Sequence, residues 1–187
     1  MTNIASTRVL TGKVRLSYVH VDKPYAANAN QEPKYNVTLL IPKDDKKTLD
    51  KIKAAQIAAR DKFRAKHPSA GLPDRPKLTI YDGDGDRPSG DAYGPECKGH
   101  MVITVASKDK PVLVDRNRNE ILDTTEVYSG CYARVDMDFY GYANSGNKGV
   151  SAGLLGIQKL ADGESLGGAR GSADAFDDEY EDEGEDW

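Results

Sequence analysis

Between Cys131 and Tyr142 the chain alternates without a break. Ala133, Val135, Met137 and Phe139 fall on one side of an extended strand, and Tyr132, Arg134, Asp136, Asp138, Tyr140 and Tyr142 fall on the other. A period of two over that length requires a strand with one face in a core and one face in water. Shorter segments of the same character surround it: Arg8 to Val21, Lys34 to Ile41, Lys77 to Tyr81, His100 to Ser107, Val112 to Val114 and Val150 to Leu160. Each is rich in β-branched or aromatic residues and bounded by Gly, Pro, Asn or Asp, which reads as a strand between turns. One segment breaks the pattern. From Asp44 to Lys66, residues Leu49, Ile52, Gln56, Ala59 and Phe63 recur at three- and four-residue steps, so this stretch is a helix, with Asp44 as its cap and His67-Pro68 as its stop. Strands with a single helix after the second of them predict a mainly β fold, a small barrel or curled sheet, because closure removes exposed edges.

The length fits one compact domain over residues 1–161, followed by a Gly-rich flexible linker at 162–173 and an acidic tail at 174–187. Nine carboxylates and no Lys or Arg lie between Gly171 and Trp187. The whole chain has 26 basic and 30 acidic residues, so residues 1–170 keep 26 against 21 and form a body of net +5. The net charge of −4 therefore hides a basic domain with an acidic appendage. Such an arm can fold over a cationic surface or be offered to another protein, and both uses weaken with salt.

No apolar run approaches the roughly 18 residues that a membrane span needs, and residues 1–8 lack a basic start followed by an apolar stretch. The expectation is a cytoplasmic protein with no membrane partner. Cys97 and Cys131 are too few for a disulfide framework and are expected as free, buried thiols.

Exposed rings beside cations are what sequence-tolerant binding of single-stranded nucleic acid requires, since every base has a face to stack and every nucleotide a phosphate to pair. Tyr25, Tyr81, Tyr132, Tyr140 and Tyr142 are the candidate stacking rings, and Lys13, Arg15, Lys23, Lys34, Arg116, Arg118 and Arg134 the candidate phosphate partners. Cross-strand aromatic pairing accounts equally well for any single tyrosine. Arg116 and Arg118, which alternate with Asn117 and Asn119, read as ordinary turn chemistry or as a phosphate clamp. The basic residues of the helix read mainly as a solvated face.

Other chemistries are weaker. The run Asp82-Gly-Asp-Gly-Asp86 lacks the glycine and the bidentate glutamate of a calcium loop and reads as a turn. Cys97 and His100 stand at a zinc-like spacing, but only Cys131, His20 and His67 remain as further soft donors, so neither metal nor cofactor is expected. The sharpest enzymatic alternative is a Mg²⁺-dependent nuclease or recombination enzyme using Asp136 and Asp138, which share a strand face. A histone-like duplex-binding or virion protein, its tail tempering a basic body, is the third reading.

The stretches GKVRLSYVHVDKPY, PKYNVTLLIPKDD, LTIYDGDGD, KPVLVDRNRNEI, YSGCYARVDMDFYGY and GVSAGLLGIQKL, with the acidic tail, resemble phage single-stranded DNA-binding proteins of the OB-fold group. The resemblance covers nearly the whole chain as a pattern of segments. It implies an OB-type barrel, not an enzyme, that coats single-stranded DNA in phage replication, recombination and repair; weaker binding of duplex DNA or RNA and homo-oligomers are left open. It also implies a tail that docks on replication proteins through Asp182, Glu183, Glu185, Asp186 and Trp187 and competes with DNA for the groove. Several relatives end in Phe where this chain ends in Trp187.

Overall fold

A computed structural model describes residues 6–144 and 146–166; the acidic tail with Asp182, Glu183, Glu185, Asp186 and Trp187 lies outside the described residues. The elements run β1 (Arg8–Leu10), β2 (Val14–Tyr25), β3 (Lys34–Pro42), α1 (Lys46–Lys66), β4 (Ile80–Asp82), β5 (His100–Ser107), β6 (Val112–Val114), β7 (Tyr132–Asn144) and β8 (Asn147–Ala161).

Five strands close a ring. β3 pairs with β2 and β5, β7 pairs with β2 and β8, and the ring is completed where Ala106 of β5 meets Gly153 of β8. Every joint is antiparallel except that last one, which is parallel and holds through a single residue pair. This is an OB-type barrel. β1 runs beside β7, β6 lies parallel to β8 and β4 pairs with β5. The isolated bridge between Lys77 and Gly149 carries the segment before β4 across to β8, at the hairpin end of the barrel.

The core follows the alternation read from sequence: Ala133, Val135, Met137 and Phe139 of β7 are buried together with Val14, Leu16, Val37, Leu39 and Ile103 from the neighbouring strands. α1 adds Ile52, Ala55 and Ala59 to the same core and packs mainly against β7. Its cap is Asp45, one residue later than the sequence indicated. The Asp45 carboxylate accepts from the Thr48 N–H at 3.1 Å and from the Thr48 hydroxyl, worth about 1 kcal/mol to the helix.

Two segments differ from the sequence reading. The strand expected over Arg8 to Val21 is interrupted at residues 11–13, where the chain dips towards the helix start: the Gly12 N–H donates to the Thr48 hydroxyl at 2.9 Å, and buried Thr11 accepts the Val135 N–H on its own hydroxyl at 3.0 Å. The first residues of the expected linker, 162–166, are fastened to the barrel. The Leu166 N–H donates to the Ser129 carbonyl at 2.8 Å, Arg15 donates to the Glu164 carbonyl at 2.8 Å, and the Tyr128 hydroxyl donates to the Gly163 carbonyl at 2.9 Å. Gly130 permits this close approach: its φ of 117° suits glycine, and a Cβ there would run into the Glu164 carbonyl.

Candidate nucleic-acid interface

The outer surface of β2, β3, β5 and β4 holds two adjoining depressions that share Thr104 and form one continuous groove. Its middle is a polar terrace where Ser17, Thr38 and Thr104 stand side by side in register, with the hydroxyls of Thr38 and Thr104 at 3.1 Å. At one end, Leu40 and Val102 form an apolar floor sealed by Cys97 and Tyr93, both delivered by the loop between β4 and β5. Burial pushes the Cys97 thiol up, so it stays protonated packing material.

Tyr18 dominates that end. Strict alternation would send it inward after Val14 and Leu16; instead Leu16 and Ser17 are both buried, a register shift follows in the pairing with β3, and Tyr18 emerges 55% exposed. Its φ is 45°, a left-handed conformation that costs a non-glycine residue of order 1–3 kcal/mol. The fold thus bears a strain that aims an aromatic ring into the groove. The Arg87 guanidinium carbon lies 5.9 Å from the Tyr18 ring centre and 5.1 Å from that of Tyr93, and its Nη2 donates to the Tyr18 hydroxyl at 3.4 Å. That hydrogen bond leads in raising the basicity of Arg87, while burial pushes the Tyr93 hydroxyl up. Tyr81 completes the lining.

At the other end, Tyr25 pairs in register with Lys34 and stacks on His20, ring centres 4.0 Å apart and planes 5° from parallel. Burial lowers the His20 pKa, so near neutral pH the imidazole is an uncharged aromatic surface extending Tyr25. The two stacked rings form a flat platform of the kind a planar group can stack on, and Lys34 lines the depression beside it.

The residues singled out from sequence fall into three groups. Tyr25, Lys34 and Tyr81 line the groove, and Lys23 sits exposed beside Tyr25 at the end of β2. Tyr132 is flanked by Lys13, its ammonium 4.9 Å from the ring centre, and by Arg15 at 5.7 Å; this cluster sits beside the fastened segment 162–166, to which Arg15 is bonded. The rest lie elsewhere. Arg134 donates to the Thr11 carbonyl on the far side of the barrel, where Arg118 also lies. Arg116 and Arg118 belong to a turn organised by Asp115, whose carboxylate accepts the N–H groups of Asn117 and Asn119 and is thereby held below its usual range. Tyr140 borders a depression at the helix end with Lys62, Phe63 and His67 while its ring edge reaches Gly153 of β8, and Tyr142 packs near Gly149 in the β7–β8 hairpin. The single wall of tyrosine and arginine expected along β7 is therefore divided among several surfaces.

Sequence reasoning missed Tyr18, His20, Arg87 and Tyr93. A bulge with positive φ leaves no mark in a period-two pattern, and Arg87 and Tyr93 sit in an irregular loop with no period to read. The excess of tyrosine over phenylalanine, ten to three, was the available signal that rings with a polar end lie at a wet surface.

The alternative chemistries have their carboxylates engaged. Asp136 is paired with Arg8 through a bond of 2.9 Å from Nε, and Asp138 accepts from the Thr7 hydroxyl at 2.7 Å. Asp82 and Asp84 both clasp Lys43 at 2.6 Å, which lowers their pKa values. Among the described residues no group of three or more His, Cys, Asp or Glu is placed to hold a metal ion.

A barrel of this pairing order, with rings and cations strung along the outside of β2, β3 and β5, is an oligonucleotide-binding barrel in architecture. The chain belongs to the family described as the ssDNA-binding protein of Enterobacter phage Enc34, which matches residues 7–186. It is 31% identical over 180 residues to protein p50 of Acyrthosiphon pisum secondary endosymbiont phage 1, covering 91% of this chain and 93% of that one. The single-stranded DNA-binding protein from bacteriophage Enc34, solved in complex with ssDNA, superposes with a TM-score of 0.72 at 33% identity, covering 86% of this chain and 90% of that one. The fold extends to gp2.5, a single-stranded DNA-binding protein encoded by bacteriophage T7, at a TM-score of 0.60 and 16% identity, with 95% and 96% of the two chains covered.

Proposed function

We propose that this chain binds single-stranded DNA without sequence preference, along the groove that runs from Tyr25 and Lys34 past Thr104 to Tyr18, Tyr81, Arg87 and Tyr93. The observation that carries the reading is the groove itself: aromatic platforms at both ends, a cation at each, and a hydroxyl-lined terrace between. Family membership supports it, since relatives carry single-stranded DNA-binding in their names and one was solved with that ligand. Stacking is worth roughly 1 to 3 kcal/mol per base, which two platforms turn into useful affinity without reading base edges. No chemical step is needed; the protein protects and presents a strand.

The biological setting proposed is phage DNA replication, recombination and repair in the cytoplasm of a bacterial host. The acidic tail competes electrostatically with DNA for the groove and offers Asp182, Glu183, Glu185, Asp186 and Trp187 to replication proteins. Support for the tail's part comes from charge: a body of net +5 faces a segment with nine carboxylates.

Titration of a labelled oligonucleotide at several salt concentrations tests the reading, with single strand, duplex and RNA compared for the full chain and for a chain ending at residue 170. The expected order is single strand above duplex and RNA, with tighter binding after tail removal, most visibly at low salt. No binding of single strands by either form ends the proposal.

A further inference from the structure

On the far side of the barrel from the tyrosine groove, β1, β6, β7 and β8 present a second groove, an open depression of about 740 Å³. Leu10, Val112 and Leu155 line it, and they are three of the five exposed large aliphatic side chains among the described residues, so this is a patch and not scattered exposure. Arg8, Arg118 and Arg134 stand round it against one carboxylate, Asp136; the fork of Arg8 is filled by Asp136 and Arg134 keeps its Nε on the Thr11 carbonyl, which leaves the rim a net positive charge centred on Arg118 and Arg134. It holds no aromatic ring in its lining, so a base finds nothing there to stack on. The ligand that fits is anionic and apolar together, and carboxylates suit it well because guanidinium groups bind them in a two-pronged fashion.

The chain itself supplies that chemistry. Residues 174–187 interleave nine carboxylates with Phe176, Tyr180 and Trp187. Leu166 is anchored against Leu40, Cys97 and Val102, which leaves the twenty-one residues from 167 to 187 as tether and ligand. Extended, such a length reaches about 70 Å, more than the width of a domain of this size. We infer that the arginine-rimmed groove of β1, β6, β7 and β8 is a docking site for the aromatic acidic segment 174–187, the place it occupies when DNA fills the tyrosine groove. The docked state rests on the proposed DNA-binding reading; the surface and its complementarity do not.

Trp187 is the sole tryptophan of the chain, so intrinsic tryptophan emission reports the tail alone. The experiment records that emission for the full chain, free and saturated with oligo(dT), beside a synthetic peptide of residues 174–187 in the same buffer. Docking predicts emission at shorter wavelength than the peptide in the DNA-bound protein, and a return to the peptide value in Leu155→Asp and in Arg118→Glu. Leu155 is 40% exposed and Arg118 is exposed, so both variants should fold, which thermal unfolding checks. Affinity for labelled oligo(dT), measured separately, should fall in both full-length variants, because the tail loses its alternative seat and returns to compete for the tyrosine groove, and should be unchanged in both when the chain ends at residue 170. DNA-bound emission equal to that of the peptide, or a shift that survives both substitutions, overturns the inference. If oligo(dT) does not bind at all, the DNA-binding reading fails, and the DNA-free comparison of the same variants still decides docking: a shift lost in both supports it, and anything else removes it.

Discussion

The two outer walls of this barrel carry similar cations but differ in what lies between them. On the wall of β2, β3, β5 and β4, Arg87 and Lys34 are interleaved with tyrosine rings and threonine hydroxyls. On the wall of β1, β6, β7 and β8, Arg8, Arg118 and Arg134 surround aliphatic side chains. Charge alone attracts any polyanion to both. The neighbour of the cation is what separates the two proposed uses: rings suit the stacking of bases, whereas leucine and valine beside arginines suit an aromatic, acidic peptide segment. Each wall also carries one non-glycine residue in the left-handed region, Tyr18 with φ 45° on the first and Arg118 with φ 68° on the second, so backbone strain does not separate them.

The largest effect expected is on the tyrosine wall. Tyr18→Gly combined with Tyr93→Ala should weaken binding of a short oligonucleotide by roughly a hundredfold, from the loss of two stacking surfaces. Tyr18→Gly alone should cost about tenfold in affinity while leaving the melting temperature unchanged or raised, because glycine accepts the positive φ without strain. A variant that loses affinity and stability in parallel would make Tyr18 a structural ring and remove the contrast between the walls.

Next comes Tyr25→Ala, which leaves His20 without its stacking partner and should weaken binding by about tenfold; unchanged affinity would confine the interface to the Tyr18 end. A smaller effect distinguishes phosphate contacts from stacking. In a chain ending at residue 170, Arg87→Gln and Lys34→Gln should each reduce the slope of log affinity against log salt by about 0.7, whereas Arg134→Gln and Arg118→Gln should leave it unchanged. Equal slopes for all four would show that DNA wraps both walls. The smallest effect expected is Tyr140→Ala: its ring edge reaches Gly153 of β8 and lines neither depression of the tyrosine groove, so a short oligonucleotide should bind it about as well as the unaltered chain, and a tenfold loss would extend the path over the β7–β8 hairpin.

Much of the architecture was legible because it follows from periods. Alternation along β7 fixed which side chains enter the core, and the three-and-four spacing fixed the helix and its buried face. Tyr25, Lys34 and Tyr81 line the groove, and each stands at the end of a strand or in a loop beside one that the alternation marks. Arg116, Arg118 and Arg134 resisted, because counting places residues on a face of a strand but does not say which strands lie side by side once a sheet closes. β7 shares its outer surface with β1 and β8, so Arg134 and Asp136 face the arginine wall and not the tyrosine groove.

The sequence by itself determined the elements, the content of the core, the basic body with its acidic appendage and the presence of wet tyrosines, since these depend on local spacing and composition. Tertiary structure alone decided which rings meet which cations. A bulge of a single residue turned Tyr18 outward, a loop from distant sequence brought Arg87 and Tyr93 to it, and closure of the ring through the Ala106 and Gly153 pairing separated the two walls. Each of these is a long-range juxtaposition, set by how strands pair in space and not by any pattern along the chain.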